Sequence, residues 1–259
     1  MHPPVRASHR QRATYSAPAL EKGLDIIELL ASLHRPMATR EIAERLQRSK
    51  AEIFRMVFVL VERGYLKRDP VNDELTLTNH LFEIGMRTPR ARELIEVAVP
   101  AMERLCDGCG QSAHLVVVNN GETVVIASTT GQSDINFSLR LGYRRPALAS
   151  TSGQIIIAFQ DSARRAKMIE ECKVASGRAV ATSTLGKRLD AIAKLGHLMA
   201  ESHDTVGITD IGVPILNRRG HALASITVPY LNRHDTAPRH EHVLQLLIET
   251  CRAISASLT

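Results

Sequence analysis

No apolar run in this chain approaches the roughly 18 residues that a membrane-crossing helix needs; the stretch from Ile155 to Phe159 is among the longest. A transmembrane helix is therefore not expected, nor any partnership with a membrane. The stretch from Met1 to Ala17 lacks the apolar centre of a secretory signal. It carries Arg6, Arg10 and Arg12 without a single acid, so it reads as a disordered basic tail and export is not expected. Cysteine is scarce and scattered: Cys106, Cys109, Cys172 and Cys251 make no disulfide framework, which suits a reducing cytoplasm. Internal repeats and low-complexity runs are missing as well.

The signatures of an enzyme are also absent. Ser152-Gly153 lacks the glycine at position 150 that a nucleophile elbow requires. Cys106-Asp107-Gly108-Cys109 is a single C-x-x-C without a second pair, and it stands at a helix end outside any thioredoxin-like context. His114, His203 and Asp210 are suitable metal ligands by type, but their spacing fixes no geometry. The expectation is a chain that is not an enzyme, with no cofactor and no bound metal.

What the chain does have is charge, unevenly placed. Of 259 residues with a net charge of +6, the part through Arg92 holds 16 lysines and arginines against 11 acids, and the rest 17 against 16. A basic module beside a nearly neutral one is the balance expected when the first meets phosphates and the second does not. With 44% of residues apolar, the length supports two domains.

Leu20, Leu24, Ile27 and Leu30 recur at helical spacing behind Pro18, predicting a helix to about Leu33. Pro36 breaks it. Thr39 is placed to cap a short helix through Leu46, and Ser49 to cap a third from about Lys50 to Arg63, stopped by Gly64. Leu66 and then Leu75 and Leu77 flank a turn at Asp69, Pro70, Asn72 and Asp73, a small hairpin. Three helices and a hairpin in that order predict a winged helix-turn-helix, with double-stranded operator DNA as partner. Residues 79–107 read as helical, interrupted near Pro89 and Pro100. Beyond Gly110, hairpins over 113–128 and 208–230 surround helices near 153–159, 162–172 and 184–201, and a helix over 239–258 closes the chain. The fold class is α+β with an antiparallel sheet.

Several motifs resemble the isocitrate lyase regulator-type (IclR) family: Glu41-Ile42-Ala43-Glu44-Arg45-Leu46, Arg55, Glu62-Arg63-Gly64-Tyr65-Leu66, Leu141-Gly142-Tyr143-Arg144-Arg145-Pro146, and Gly207-Ile208-Thr209-Asp210-Ile211 before Val213-Pro214-Ile215. The likeness covers nearly all of the chain after Pro18. It implies a bacterial transcription regulator, a GAF-like effector-binding domain, and a homodimer or dimer of dimers. The expected organisation is a tail over 1–17, a winged helix-turn-helix over 18–80, a linker helix over 81–97 and an effector-binding domain over 98–259. Where the family has Ser or Thr opening the recognition helix, this chain has Ala51 and Glu52, so a different operator is expected.

Ser49, Lys50, Glu52 and Arg55 occupy the start of the third helix, where side chains reach base edges. Glu52 either accepts from a cytosine amine or serves the helix dipole; Arg55 either reads a base or pairs with Glu52 or Glu62. Thr39, Arg40, Lys67 and Arg68 suit the phosphate backbone. Ser150, Thr151, Ser152 and Gly153 open a helix whose free amides suit an anion, with Arg140 and Arg144 just upstream; ordinary capping is the alternative. By resemblance this segment, with Gly142, His114, Ser128 and Asp210, borders the effector pocket, and a small organic acid is the expected effector.

Overall fold

The computed structural model describes residues 16–33, 35–176, 182–232 and 239–258; the basic tail with Arg6, Arg10 and Arg12 lies outside them. The chain divides between Arg92 and Glu93 into two compact units.

In the first unit, α1 (Pro18–Leu33) is followed by β1 (Met37–Ala38), α2 (Thr39–Arg45), α3 (Lys50–Glu62), β2 (Leu66–Arg68), β3 (Glu74–Leu77) and α4 (His80–Met86). Ile26 and Leu30 of α1, Ile42 of α2, and Ile53 and Val57 of α3 are buried together with Met37, Leu66 and Leu75. One small core thus ties helices to wing. Gly64, with φ +76°, ends α3; the Tyr65 N–H then reaches back to the Leu60 carbonyl at 2.9 Å, a closure that a left-handed residue permits. The wing is wider than a hairpin, because β1 adds to β3 with Met37 opposite Leu75. Thr39 is not a cap: it is the first helical residue of α2, and the Ala38 before it makes no side-chain cap.

Residues 81–97 hold two helices. A break at Arg87 and Thr88 separates α4 from α5 (Pro89–Cys109). Pro100 sits inside α5 without ending it. A proline there forfeits one helical hydrogen bond, but Ala98, Ala101, Met102 and Leu105 on both sides of it are buried, and that packing holds the helix together.

The second unit continues with β4 (Ala113–Asn119), β5 (Glu122–Thr129), β6 (Arg144–Pro146), α6 (Thr151–Ala158), α7 (Ser162–Ser176), α8 (Thr182–Leu195), β7 (Leu198–Glu201), β8 (Ile208–Leu216), β9 (Ala222–Leu231) and α9 (His240–Ser257). The strands form one antiparallel sheet in the order β6-β5-β4-β9-β8-β7. The stretch expected as helix to Glu201 is instead helix, turn and edge strand: Gly196, at φ +85°, stops α8, and β7 pairs with β8.

Alternation along the strands divides the sheet's residues between two layers. Leu115, Ile211, Val213, Ile226 and Val228 pack with α5 and α9. On the opposite face lies α6, buried along its whole length and backed by α7 and α8 through Ile155, Met168 and Leu189. That second face, carrying His114, Asp210 and Thr227, is where polar groups are enclosed.

Candidate functional site

Two surfaces, one in each unit, gather the chemistry. On the first, Ser49 caps α3 by a reciprocal capping box: its hydroxyl accepts the Glu52 N–H, and the Glu52 carboxylate accepts the Ser49 N–H. Lys22 of α1 donates to the same carboxylate. The Lys22 ammonium and then Ser49 hold the Glu52 carboxyl at about 2, well below the usual range. Glu52 is thus engaged within the protein, and its two internal partners account for it without a base.

Lys50, Ala51, Phe54 and Arg55 of α3 line a shallow depression with Thr39 and Arg40 at the start of α2. Arg40 pairs with Glu44 at 2.8 Å, and Arg68 with Asp73 at 2.6 Å. Lys50, Arg55 and Lys67 are exposed and make no ion pair among the described residues. The alternative for Arg55, a bridge to Glu52 or Glu62, is not formed among the described residues. Phe54 was missed from sequence, where its apolar character suggests the core; it is 55% exposed.

In the second unit a cavity of about 100 Å³ opens between β4, β5, β9 and β8 on one side and the start of α6 on the other. Its wall brings together five of the residues expected there, His114, Ser150, Thr151, Ser152 and Asp210. The other five lie outside the lining. Ser128 hydrogen-bonds to Ser138 at 2.9 Å; Arg140 and Gly142 are exposed; Arg144 is held by Glu122 at 2.9 Å; and Gly153 is packed behind the wall against Ala147. The cation that does line the cavity is Arg145, next in sequence to Arg144 and therefore on the opposite side of strand β6.

Arg145 lies 3.0 Å from the Asp204 carboxylate and donates to the Ala149 carbonyl at 3.1 Å. The Asp210 carboxyl is pushed up, mainly by burial; Arg145 and a Thr151 hydrogen bond oppose the shift. Ser152 and Thr227 share a hydroxyl hydrogen bond of 2.7 Å. The Ser150 hydroxyl accepts the Gly153 N–H at 3.0 Å and so caps α6. Ser150 thus caps α6 as the capping alternative expects, and it lines the cavity beside Thr151 and Ser152, which hydrogen-bond to side chains of the sheet.

His114 Nε2 accepts the Leu139 N–H at 2.9 Å, and burial pulls its pKa down to about 4. The ring is neutral, with its proton on Nδ1. Unfolding frees it to take a proton near 6.5, so stability from this group is complete above that pH and is lost as the pH falls toward 4. Chemical denaturation between about pH 7 and about pH 5 should show roughly 2 kcal/mol lost through this group. His114→Gln, which keeps an acceptor but cannot titrate, should flatten the slope by that amount; an unchanged slope would contradict the assignment.

Cys106 is buried with its sulfur 3.0 Å from the Thr129 hydroxyl, and burial pushes its thiol up to about 11. Cys109 is shifted the same way. Neither is poised for thiolate chemistry. Among the described residues no three His, Cys, Asp or Glu side chains gather as a metal site, and no helix is long and apolar enough to cross a membrane.

The two units match two family models. The one described as the IclR helix-turn-helix domain covers residues 19–70, and the one described as the bacterial transcriptional regulator IclR C-terminal domain covers 87–256. Similar curated proteins include the HTH-type transcriptional regulator KdgR of Escherichia coli strain K12, 23% identical over 94% of this chain and 93% of that protein. The HTH-type transcriptional repressor AllR of the same strain is 24% identical over 95% and 92%. Among solved structures, an IclR homolog of Microbacterium hydrocarbonoxydans complexed with 4-hydroxybenzoate superposes with a TM-score of 0.77, at 21% identity, over 93% of this chain and 98% of that one. The α+β fold expected from sequence is the fold of these structures.

Proposed function

Because this chain belongs to the IclR family of bacterial transcriptional regulators, we propose that its α3 reads the operator and that a small carboxylate in the second unit's cavity modulates that binding. Regulation of transcription through a DNA-binding helix-turn-helix and a ligand-binding C-terminal domain is what the family does. The choice of ligand and residues is our reading. It assembles as a homodimer or a dimer of dimers, which light scattering at micromolar concentration would test; a monomeric mass would reject it.

One observation carries the ligand class: Arg145 lines the cavity, with its guanidinium shared between Asp204 and a backbone carbonyl. An arginine fork matches a carboxylate in two hydrogen bonds. A ligand carboxylate displacing Asp204 from Arg145 would be oriented by Thr151, Ser152 and Thr227, with the neutral His114 Nδ1–H as a further donor. The solved relative's ligand, 4-hydroxybenzoate, is an aromatic acid, and Phe137 and Tyr143 in this lining suit a ring. A second reading has its own support: Asp204 and Asp210 outnumber Arg145, a balance that favours a neutral or cationic ligand. A calorimetric screen of organic acids, 4-hydroxybenzoate among them, against neutral and amine analogues separates the two. Only neutral or cationic binders would reject the carboxylate.

For DNA, each lost phosphate contact lowers the slope of log affinity against log salt by about 0.9. Lys67→Ala is expected to show that full decrement. Arg68→Ala should show less, because Asp73 already holds Arg68. Equal decrements would mean that the Asp73 pair opens on DNA; an unchanged slope for Lys67→Ala would remove that lysine from the interface.

A further inference from the structure

The face of α3 turned away from the core is chemically unusual for a protein surface. At 100° per residue, Ile53, Val57 and Leu60 define its inner side, and the opposite side carries Ala51, Arg55 and Phe58 with Phe54 at its edge. Phe54 and Phe58 are 55% and 60% exposed, although burying such a ring would gain about 1.5–3 kcal/mol. The polar groups that normally read bases from the first turn are missing or engaged: position 51 is alanine, and Glu52 is held by Ser49 and Lys22. What remains free at the tip is Lys50, Arg55 and the apolar pair Ala51 and Phe54.

We propose that Phe54, packed beside Ala51 on the leading turns of α3, reads operator thymine through its 5-methyl group. The inference rests on the DNA-binding reading and names a specificity element within it. A phenyl ring neither donates nor accepts a strong hydrogen bond, and of the features presented in the major groove the thymine methyl is the one that gains from apolar contact. The surrounding charge selects DNA over a second copy of this chain as the occupant. Lys50, Arg55 and Arg40 frame the ring, whereas the cores of protein interfaces are depleted in charge and particularly in lysine. Phosphate contacts from these cations would set the register in which the ring meets the base edge. Arg55, free of acids, supplies the complementary polar contact, an arginine fork to guanine. The half-site is therefore expected to contain both a guanine and at least one thymine whose methyl is essential.

The test begins with duplexes selected from a random-sequence pool by the purified full chain. Each thymine of the tightest duplex is then replaced singly by deoxyuridine, which removes only the methyl. At one or more positions the native chain should bind about fourfold more weakly, the equivalent of ~0.8 kcal/mol for one buried carbon. Phe54→Ala should bind the parent duplex more weakly and be indifferent to deoxyuridine at that position, while its mass by sedimentation is unchanged. Phe54→Leu should recover part of the methyl sensitivity. The proposal is overturned if the native chain selects a duplex but ignores every deoxyuridine, or if Phe54→Ala remains as sensitive as the native chain; the DNA-binding reading would survive both results. A fall in mass on Phe54→Ala would assign the ring to self-association instead. Failure to select any duplex would remove both readings together.

Discussion

Arg145→Ala is expected to weaken binding of any carboxylate found in the calorimetric screen by about 30-fold to 1,000-fold, corresponding to ~2–4 kcal/mol for truncating one partner of an enclosed charge pair. The substitution removes the arginine that lines the cavity and leaves Asp204 and Asp210 facing it. The two acids then face an anionic ligand without the guanidinium that had offset one of them. Arg144→Ala is the matching control: its side chain is spent on Glu122, so ligand affinity should hold. If Arg145→Ala binds the acid as the native chain does, the carboxylate sits elsewhere in the cavity or in the second unit. Operator binding without ligand should persist in both variants.

A second large effect is expected from a single methyl group. Gly153→Ala places a Cβ 2.2 Å from the Ala147 carbonyl oxygen and 2.6 Å from its Cα, inside any real contact distance. The obstruction is backbone and cannot rotate away. α6 must therefore lift from the turn that precedes it, in a helix whose every residue is buried. A loss of about 3 kcal/mol follows, at the upper end of overpacking costs, and with it the alignment of Thr151 and Ser152 on the cavity wall. The chain has no tryptophan, so far-UV circular dichroism during urea unfolding is the suitable probe. Gly186→Ala provides the contrast, because nothing lies within 4 Å of a Cβ there and α8 should gain up to about 1 kcal/mol of helix propensity. Equal stability of the two variants would show that α6 is not wedged as described.

The same residues show what periodicity can and cannot reveal. α1 and α3 were legible because their buried positions repeat over several turns, and Ser49 as the cap of α3 was legible too, whereas the return bond from Glu52 that completes the capping box came only with the structure. Both long hairpins were legible from alternation. The short strands β1, β6 and β7 were not, since two to four residues contain too little of any period to distinguish. That omission had a consequence at the cavity. Without β6, nothing in sequence tells which of the adjacent Arg144 and Arg145 turns inward. Strand alternation resolves it once the strand is known. β7 does leave a signal in Gly196, which ends α8 in the left-handed region. Half of the residues expected at the pocket do line the cavity: Ser150, Thr151 and Ser152 stand out as a run of hydroxyls at a helix start, and His114 and Asp210 are implied by the family resemblance. Thr227 and Phe137 belong to no such run or motif. Phe54 was hidden for the opposite reason, since an apolar residue at helical spacing reads as core until its exposure is seen.

The claim on which the rest depends is that α3 occupies a major groove, and methylation interference on the selected duplex tests it most directly. Methyl groups at guanine N7 project into the major groove, whereas those at adenine N3 project into the minor groove. N7 methylation within each half-site is expected to block binding by the native chain, and Arg55→Ala to lose that sensitivity at one guanine. Interference confined to adenine N3, or none at either atom while the duplex is still bound, would contradict that claim.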